Sequence, residues 1–222
     1  MSALQRQLLL AGVGVALITA ALITWVDIPL ALFFESQRET WWVAFFEAIT
    51  DFASGWIWYS VAVLGLLAAY LRHKRRTPDP AKFLRETRAW IFMIVTMASS
   101  GIFINALKLA IGRERPRLLF RDGTHDFHPF GLSLADCGFP SGHTQSIWTA
   151  MLALGFIFPP LRPLFFSVAV LISASRIIIG AHYAGDVTAG LYIAVVAAVL
   201  WRQWFQRHDL SVTLNSSPSD RA

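Results

Sequence analysis

The sequence predicts an all-α membrane protein: a six-transmembrane-helix bundle with a short interfacial helix between the first two spans. Three observations support this fold class. Hydrophobic residues make up 55% of the 222 residues, the mean hydropathy is +0.52, and most charged residues lie between long uncharged stretches. At such lengths only helices satisfy every backbone hydrogen bond within lipid.

Six stretches are candidates to cross a bilayer, for which about 20 mostly apolar residues are needed. They cover residues 8–27, 52–71, 89–107, 144–161, 163–175 and 187–201. The last two reach the required length only if Arg176 and Asp186 lie at their ends. The first exceeds the usual apolar run of a signal peptide, about 7–15 residues, and no convincing cleavage site follows it. We therefore expect a retained helix in preference to a cleaved leader.

The segment between the first two spans, residues 38–52, reads RETWWVAFFEAITDF. Its aromatic and aliphatic side chains recur at helical spacing and are opposed by acidic ones. The apolar residues are Trp41, Trp42, Phe45, Phe46, Ile49 and Phe52, and the acidic ones are Glu39, Glu47 and Asp51. This pattern predicts a short helix that lies in the outer headgroup layer.

The charged residues are distributed unequally between the connections on the two sides of the predicted membrane domain. Connection 72–88 holds seven Lys/Arg residues, whereas connection 26–55 holds five acids and only Arg38. By the positive-inside rule the first connection is cytoplasmic and the second faces outward. Both termini are then cytoplasmic, and a bacterial inner membrane is the expected location. Because this asymmetry explains the net charge of +5, no nucleic-acid partner is indicated; the bilayer is the expected partner.

The chain divides into an integral membrane domain, residues 1–205, and a polar cytoplasmic tail, residues 206–222. The single Cys137 permits no internal disulfide. One connection breaks the charge rule, because Arg113, Arg115, Arg117 and Arg121 fall between the third and fourth spans, on the outer face. These cations indicate a local function there; the alternative is a miscounted helix.

Ionisable side chains converge on the outer edge of the predicted membrane domain, where each requires a partner or a use. Lys108 lies on the last turns of the third span, and Arg115 follows just beyond because Pro116 ends the helix. Ser141, Gly142 and His143 begin the fourth span, Arg176 ends the fifth, and His182 and Asp186 open the sixth. Snorkelling explains Lys108 alone, and a solvated His/Asp pair explains the last two alone. Neither of these explanations requires that all of the ionisable residues lie on one side of the membrane.

This set of side chains suits phosphate chemistry. Lys108, Arg115 and Arg176, with the amides of a Ser-Gly helix start, form a site for a multiply charged oxyanion. A histidine backed by a carboxylate is an activated nucleophile, which predicts that role for His182 with Asp186. His143 is placed to give a proton to the leaving oxygen. An extracytoplasmic active site follows from the predicted topology.

The three clusters resemble the full signature of the type 2 phosphatidic acid phosphatase superfamily. They read Lys108-x6-Arg115-Pro116, then Pro140-Ser141-Gly142-His143, then Ser175-Arg176-x5-His182-x3-Asp186, spanning residues 108–186. The resemblance implies that His182 forms a phosphohistidine, that Asp186 orients it, and that His143 is the acid and later the base. It implies phosphate-binding roles for Lys108, Arg115, Ser141, Gly142 and Arg176. It implies no metal and no cofactor.

The expected function is hydrolysis of a phosphate monoester or diphosphate of a membrane lipid. Two alternatives remain: a lipid phosphotransferase that uses the same site, and a non-enzymatic transporter or zinc scaffold. Three crowded cations disfavour zinc. The sequence does not choose among phosphatidylglycerol phosphate, phosphatidic acid, a polyprenyl diphosphate and a lipid A phosphate. His125, His128, Arg117 and Arg121 lie in the loop that would contact the headgroup, and no oligomeric state is predicted.

Overall fold

The computed structural model describes residues 2–75 and 79–214, and every regular element in these ranges is helical. The elements are α1 (Ala3–Ala21), α2 (Asp27–Ser36), α3 (Trp41–Thr50), α4 (Gly55–Arg75), α5 (Pro80–Ile111), α6 (Pro116–Asp122), α7 (Gly142–Ile157), α8 (Arg162–Ile178) and α9 (Ala184–Arg207). The β-type pairing found in the described ranges consists of two isolated bridges that involve the connection between α5 and α7.

The first span is longer than predicted and contains a π-helical turn. Helices α1 and α2 join through this turn at Leu22–Val26 into one continuous helix, Ala3–Ser36. The predicted end of the span, Asp27, therefore lies inside the helix and is buried. The π turn re-aims the residues that follow it, and such turns are frequent at functional sites.

Local signals explain where the other helices begin and end. Asp79 caps α5 by accepting a hydrogen bond from the Lys82 amide. Gly112 ends α5 in the left-handed conformation, at φ 60° and ψ 36°, which glycine adopts without a steric cost. Pro116 occupies the first turn of α6, where its missing N–H costs nothing. These signals place Lys108 on the last turn of α5 and Arg115 just outside it, as predicted.

Five helical segments are long and apolar enough to cross a membrane: Ala3–Ser36, Gly55–Arg75, Pro80–Ile111, Pro159–Ile178 and Ala184–Arg207. The predicted fourth span, 144–161, is not among them. Its helix, α7, has only 16 residues, because Ser141 caps its start and Pro159 follows its end. The structure thus supports an all-helical bundle with five candidate spans, one fewer than the sequence predicts.

Helix α7 is the centre of the bundle, with α5, α8 and α9 packed around it. Its polar side chains have buried partners. Gln145 donates to the Ser100 hydroxyl over 2.7 Å, and the Trp148 indole donates to the Ser173 hydroxyl over 2.9 Å. Because α7 is enclosed by protein along most of its length, its two ends are held firmly against the surrounding helices.

The first two residues of the predicted tail, 206 and 207, belong to α9. After α9 the chain turns back, and the Leu214 amide donates to the Ile157 carbonyl over 3.1 Å. Val212 is buried in the same cluster as the bundle core. The rest of the predicted tail, 215–222, lies outside the described residues.

Candidate functional site

The eight predicted site residues lie at one end of the bundle, around the start of α7. The last turn of α5 contributes Lys108, the start of α6 contributes Arg115, and the last turn of α8 contributes Arg176. Ser141, Gly142, His143, His182 and Asp186 come from the starts of α7 and α9. A cavity of about 490 Å³ is lined by Lys108, Arg115, Gly142 and His143 among others.

Two backbone contacts hold the clusters together. The ammonium group of Lys108 and the Nε of Arg115 both donate to the Cys137 carbonyl, over 2.7 and 3.2 Å. The Ser141 amide donates to the Asp186 carbonyl over 3.0 Å, which joins the start of α7 to the first turn of α9. The side chain of Ser141 caps α7 by accepting from the Thr144 amide, as the sequence predicts.

The rings of the two histidines lie close together, and His143 is in the wall of the cavity. The ring centroids are 6.1 Å apart, with the ring planes inclined at 54°. His182 is 1% exposed, and within the described part of the chain neither of its ring nitrogens has a hydrogen-bond partner. A buried nitrogen without a partner is costly, so this ring is poised to interact with a group that enters the cavity.

Asp186 lies beside the Nδ1 edge of the His182 ring. Its Oδ2 is 3.6 Å from the His182 Nδ1, which is longer than a hydrogen bond, and the same oxygen accepts from the Tyr183 amide over 3.0 Å. His182 itself precedes α9, so this contact is made by a turn and not by a helical i, i+4 pair. Catalytic hydrogen bonds are often long before substrate binds.

Asp186 belongs to an ion triad. The sequence-based prediction of the site does not include this triad. The Arg113 Nη1 lies 2.7 Å from the Asp186 Oδ1 and 2.9 Å from the Asp27 Oδ2. Asp27 also accepts from the Gly185 amide over 3.0 Å, and the Arg113 guanidinium lies 4.3 Å from the centre of the Tyr183 ring. All three charged side chains are almost completely buried. Asp186 is therefore held in place, through Arg113, by Asp27, which directly follows the π-helical turn of the first span.

The sequence did contain a signal for Asp27, since an ionisable residue in a membrane span is a candidate functional residue by default. Thr50 is a second residue that sequence reasoning missed. Its hydroxyl accepts from the Arg176 Nη1 over 2.6 Å and from the Ser175 hydroxyl over 2.9 Å. The end of α3 therefore sets the direction of the Arg176 guanidinium, a role that no local pattern reveals.

Burial and charge set the protonation of the residues in the loops of the site. The pKa of His182 is held well below its ordinary value, first by burial and then by the cations Arg115, Lys108 and Arg176. Burial is also the main cause that lowers the pKa of Arg115, which remains charged because arginine starts from so high a value. His182 is thus an unprotonated ring surrounded by positive charge, and an anion is the ligand that such a site favours.

Three of the four loop residues expected to contact a headgroup, Arg117, Arg121 and His128, lie against acidic residues of the same region. Arg117 binds Asp136 over 2.7 Å and Arg121 binds Asp122 over 2.6 Å. Ligand atoms of Glu114, Asp126 and His128 lie within 4.8 Å of one another. The two Glu114 oxygens are already engaged by the Asp126 amide and the His128 ring, so this cluster is explained as a loop contact outside the catalytic cavity.

Comparison with known proteins places the chain in a family. A model of the PAP2 superfamily matches residues 89–209, more than half of the chain, so the chain belongs to this superfamily. It is 34% identical over 149 residues to a lipid A 1-phosphatase of Rhizobium johnstonii and 38% identical over 105 residues to one of Rhizobium etli. These matches cover 65% and 46% of this chain and 60% and 45% of the relatives.

Two solved structures share the fold. The phosphatidylglycerolphosphate phosphatase of Bacillus subtilis superposes with a TM-score of 0.62 at 19% identity, covering 88% of this chain and 96% of that one. Aquifex aeolicus LpxE gives 0.54 at 20% identity, covering 80% and 95%. With its apolar helices and this family, the chain is an integral membrane protein.

Proposed function

We propose that this chain is a membrane lipid phosphatase that hydrolyses a phosphate monoester or diphosphate through a phosphohistidine on His182. The observation that carries the proposal is the pair of histidine rings, whose centroids are 6.1 Å apart, with the buried cations Lys108 and Arg176 and the partly buried Arg115 nearby. A phosphoryl group between the rings would contact His182 on one side and present its leaving oxygen to His143 on the other. The amides at the start of α7 and the three cations would bind its remaining oxygens.

In the first step the Nε2 of neutral His182 attacks phosphorus, because Nδ1 is directed toward Asp186. The N–P bond forms as the bond to the leaving oxygen breaks, and His143 gives that oxygen a proton. Asp186 accepts a hydrogen bond from the Nδ1–H of His182 and stabilises the positive charge on the ring. Arg113 and Asp27 keep the carboxylate in place.

In the second step water attacks the phosphohistidine. His143, now neutral, accepts a proton from the water as the new O–P bond forms and the N–P bond breaks, so that phosphate and the original histidine are regenerated. Lys108, Arg115 and Arg176 supply the charge stabilisation that a metal ion supplies in other phosphoryl-transfer enzymes. Metal-independent turnover is therefore part of the proposal.

The proposed substrate is a phosphorylated lipid, with a lipid A 1-phosphate as the first candidate because both bacterial relatives carry that activity in their names. The walls of the catalytic cavity include the apolar side chains of Met97, Ile102 and Leu134. A wall of this kind suits a substrate whose phosphate enters the cationic region while its acyl chains stay in the bilayer.

The arrangement in the membrane is proposed as the sequence indicates it. Helix α7 is the fourth of six spans, enclosed by the other helices, and α3 lies in the outer interface with Trp41 83% exposed. The site then faces away from the cytoplasm in a bacterial inner membrane, and both termini are cytoplasmic.

The test is phosphate release by the purified protein from lipid A, phosphatidylglycerol phosphate, phosphatidic acid and a polyprenyl diphosphate. We expect release from at least one lipid, persistence in excess EDTA, inhibition by vanadate, and complete loss in His182→Ala. Arg121→Gln is the matched control, since Arg121 pairs only with its neighbour Asp122. Loss on chelation that Zn²⁺ or Mg²⁺ restores contradicts metal independence, and phosphate recovered on a second lipid identifies a transferase.

A further inference from the structure

A second basic cavity lies at the other end of the bundle, with a volume of about 670 Å³. Four arginines line it: Arg85 and Arg88 from α5, Arg162 from α8 and Arg202 from α9. Phe156, near the end of α7, lies in its wall. At 1.5 Å per residue, Phe156 is about 20 Å along α7 from His143. This cavity, which we call the arginine cavity, is therefore separate from the catalytic one.

The charge of the arginine cavity is not balanced by protein carboxylates. In the described part of the chain none of the four arginines forms an ion pair, and Asp209 is the only acidic residue in the wall. Arg72, by contrast, pairs with Glu86 at a nearby position. Four guanidinium groups around one concavity repel one another, and an anion bound among them removes that repulsion.

Contacts with the protein hold some of these arginines in place. The Arg202 guanidinium lies 4.5 Å from the centre of the Phe156 ring, and the Arg162 Nε donates to the Gly155 carbonyl over 2.9 Å. The Nε of Arg85 is buried and has no partner among the described residues. Arg88 lies one helical turn from Arg85 on α5, on the same face. Fixed guanidinium groups match the oxygens of a phosphate better than mobile ones.

An apolar slot of about 150 Å³ adjoins the arginine cavity and shares Phe156 and Arg162 with it. The slot lies between α7 and α8, and its other walls are Trp148, Met151, Leu152, Gly155, Phe166 and Ala169. A free phosphate has no use for such a slot, whereas a lipid has a charged head and an apolar chain that fit the two compartments. Basic pockets between transmembrane helices are known lipid headgroup sites.

We propose that the arginine cavity binds the phosphate of an anionic phospholipid, with part of an acyl chain in the adjoining slot between α7 and α8. The site is distinct from the catalytic centre, because it lies at the other end of α7 and contains no nucleophilic side chain in its wall apart from the hydroxyls of Ser211 and Thr213. The bound lipid would join α5, α7, α8 and α9 at the end where the arginines otherwise repel one another.

The test is native mass spectrometry of the full-length protein with short-chain phosphatidylglycerol, short-chain phosphatidylcholine and inorganic phosphate. We expect phosphatidylglycerol to bind in preference to the other two. The double variant Arg85→Gln/Arg202→Gln should bind it at least about tenfold more weakly, a change of about 1.4 kcal/mol, since it removes two of the charges that contact the phosphate. Arg207→Gln, an exposed arginine on α9 outside the cavity, is the matched control and should bind normally.

A third variant tests the slot. Leu152→Phe fills it without changing any charge, and should weaken phosphatidylglycerol binding while leaving binding of inorganic phosphate as in the wild type. Equal affinity for phosphatidylglycerol and phosphatidylcholine, or equal binding by the double variant and Arg207→Gln, overturns the site. Binding of inorganic phosphate as strong as that of the lipid overturns the lipid assignment and leaves an anion site.

Discussion

At the scale of single residues, the site depends on charged groups that the catalytic motifs do not include. Arg113 pairs with two carboxylates at once, Asp186 in the site and Asp27 in the first span, and all three are buried. A buried pair costs little when both partners are present and much when one is removed. The orientation of His182 therefore depends on a residue that does not face the substrate.

Replacing Arg113 should harm the protein far more than replacing a surface arginine of the same loop. Arg113→Met leaves Asp27 and Asp186 close together without a cation, which is expected to cost about 3–5 kcal/mol of stability and most of the activity. Arg117→Met removes an exposed pair and should cost about 1 kcal/mol or less. Thermal unfolding in detergent and phosphate release measure both effects. Similar losses for the two variants would show that the triad has no special role.

The low pKa of His182 makes a prediction about stability and pH. Because the ring is buried and close to three cations, the unfolded chain binds a proton at this residue more readily than the folded one. Stability from this source is present above the ordinary histidine pKa of about 6.5 and is lost as the pH falls below it. The midpoint temperature of thermal unfolding should therefore drop less between pH 7 and pH 5 in His182→Gln than in the wild type. A parallel drop would mean that folding does not shift the pKa of His182.

At the scale of helices, the catalytic geometry is set by contacts between helix ends. Asp186 accepts from Ser141 through its carbonyl, so the start of α7 and the first turn of α9 are positioned as a unit. This contact requires close approach at Gly190, where a Cβ atom would lie 2.5 Å from the Ser141 carbonyl oxygen. Only a glycine permits the approach without movement of one helix.

Gly190→Ala should displace the start of α7 from α9 and lower kcat/KM by about 100-fold, the order of loss that a displacement of about 1 Å produces. Gly14→Ala is the control, because a Cβ there has no neighbour within 4 Å and alanine favours a helix. Phosphate release from the preferred lipid measures both. Unchanged activity in Gly190→Ala would show that the spacing of α7 and α9 does not limit catalysis.

Much of the fold and of the site follows from local sequence. Hydropathy locates five of the six predicted spans, Pro116 places Lys108 and Arg115 on either side of a helix end, and Ser141 identifies the start of α7. Contacts between segments that are far apart in the sequence cannot be predicted from local sequence. Asp27 meets Gly185 across 158 positions of sequence, and Thr50 meets Arg176 across 126, so no periodicity encodes either contact. The sequence also predicts too short a first helix. It places Asp27 at the end of the span, whereas Asp27 is buried inside the helix.

At the scale of the whole molecule, the two ends of the bundle differ in function. One end carries the histidines and the cations of the proposed catalytic site, and the other carries the arginine cavity. The basic connection 72–88 and the arginine cavity share an end, while the acidic segment that precedes α4 lies near the catalytic end. By the positive-inside rule we propose that the end with the histidines faces outward.

Accessibility of introduced cysteines tests this orientation. In a Cys137→Ser background, His125→Cys and Lys82→Cys place one exposed thiol at each end of the bundle. An impermeant maleimide added to intact cells with a permeabilised outer membrane should label His125→Cys and leave Lys82→Cys unlabelled until the cells are lysed. The reverse pattern would place the catalytic end in the cytoplasm.

The central claim is that His182 carries the phosphoryl group while His143 transfers protons, and trapping the phosphoenzyme tests it most directly. General acid help is worth about 10²–10⁴-fold, and p-nitrophenolate needs little of it. His143→Ala should therefore lose far less of the first step on p-nitrophenyl phosphate than on a lipid monoester. It should then accumulate a phosphoenzyme that is stable to alkali, labile to acid and located on His182, because water attack has lost its base. Equal losses on both substrates with no trapped phosphohistidine, or a phosphoryl group found on His143, would contradict the account.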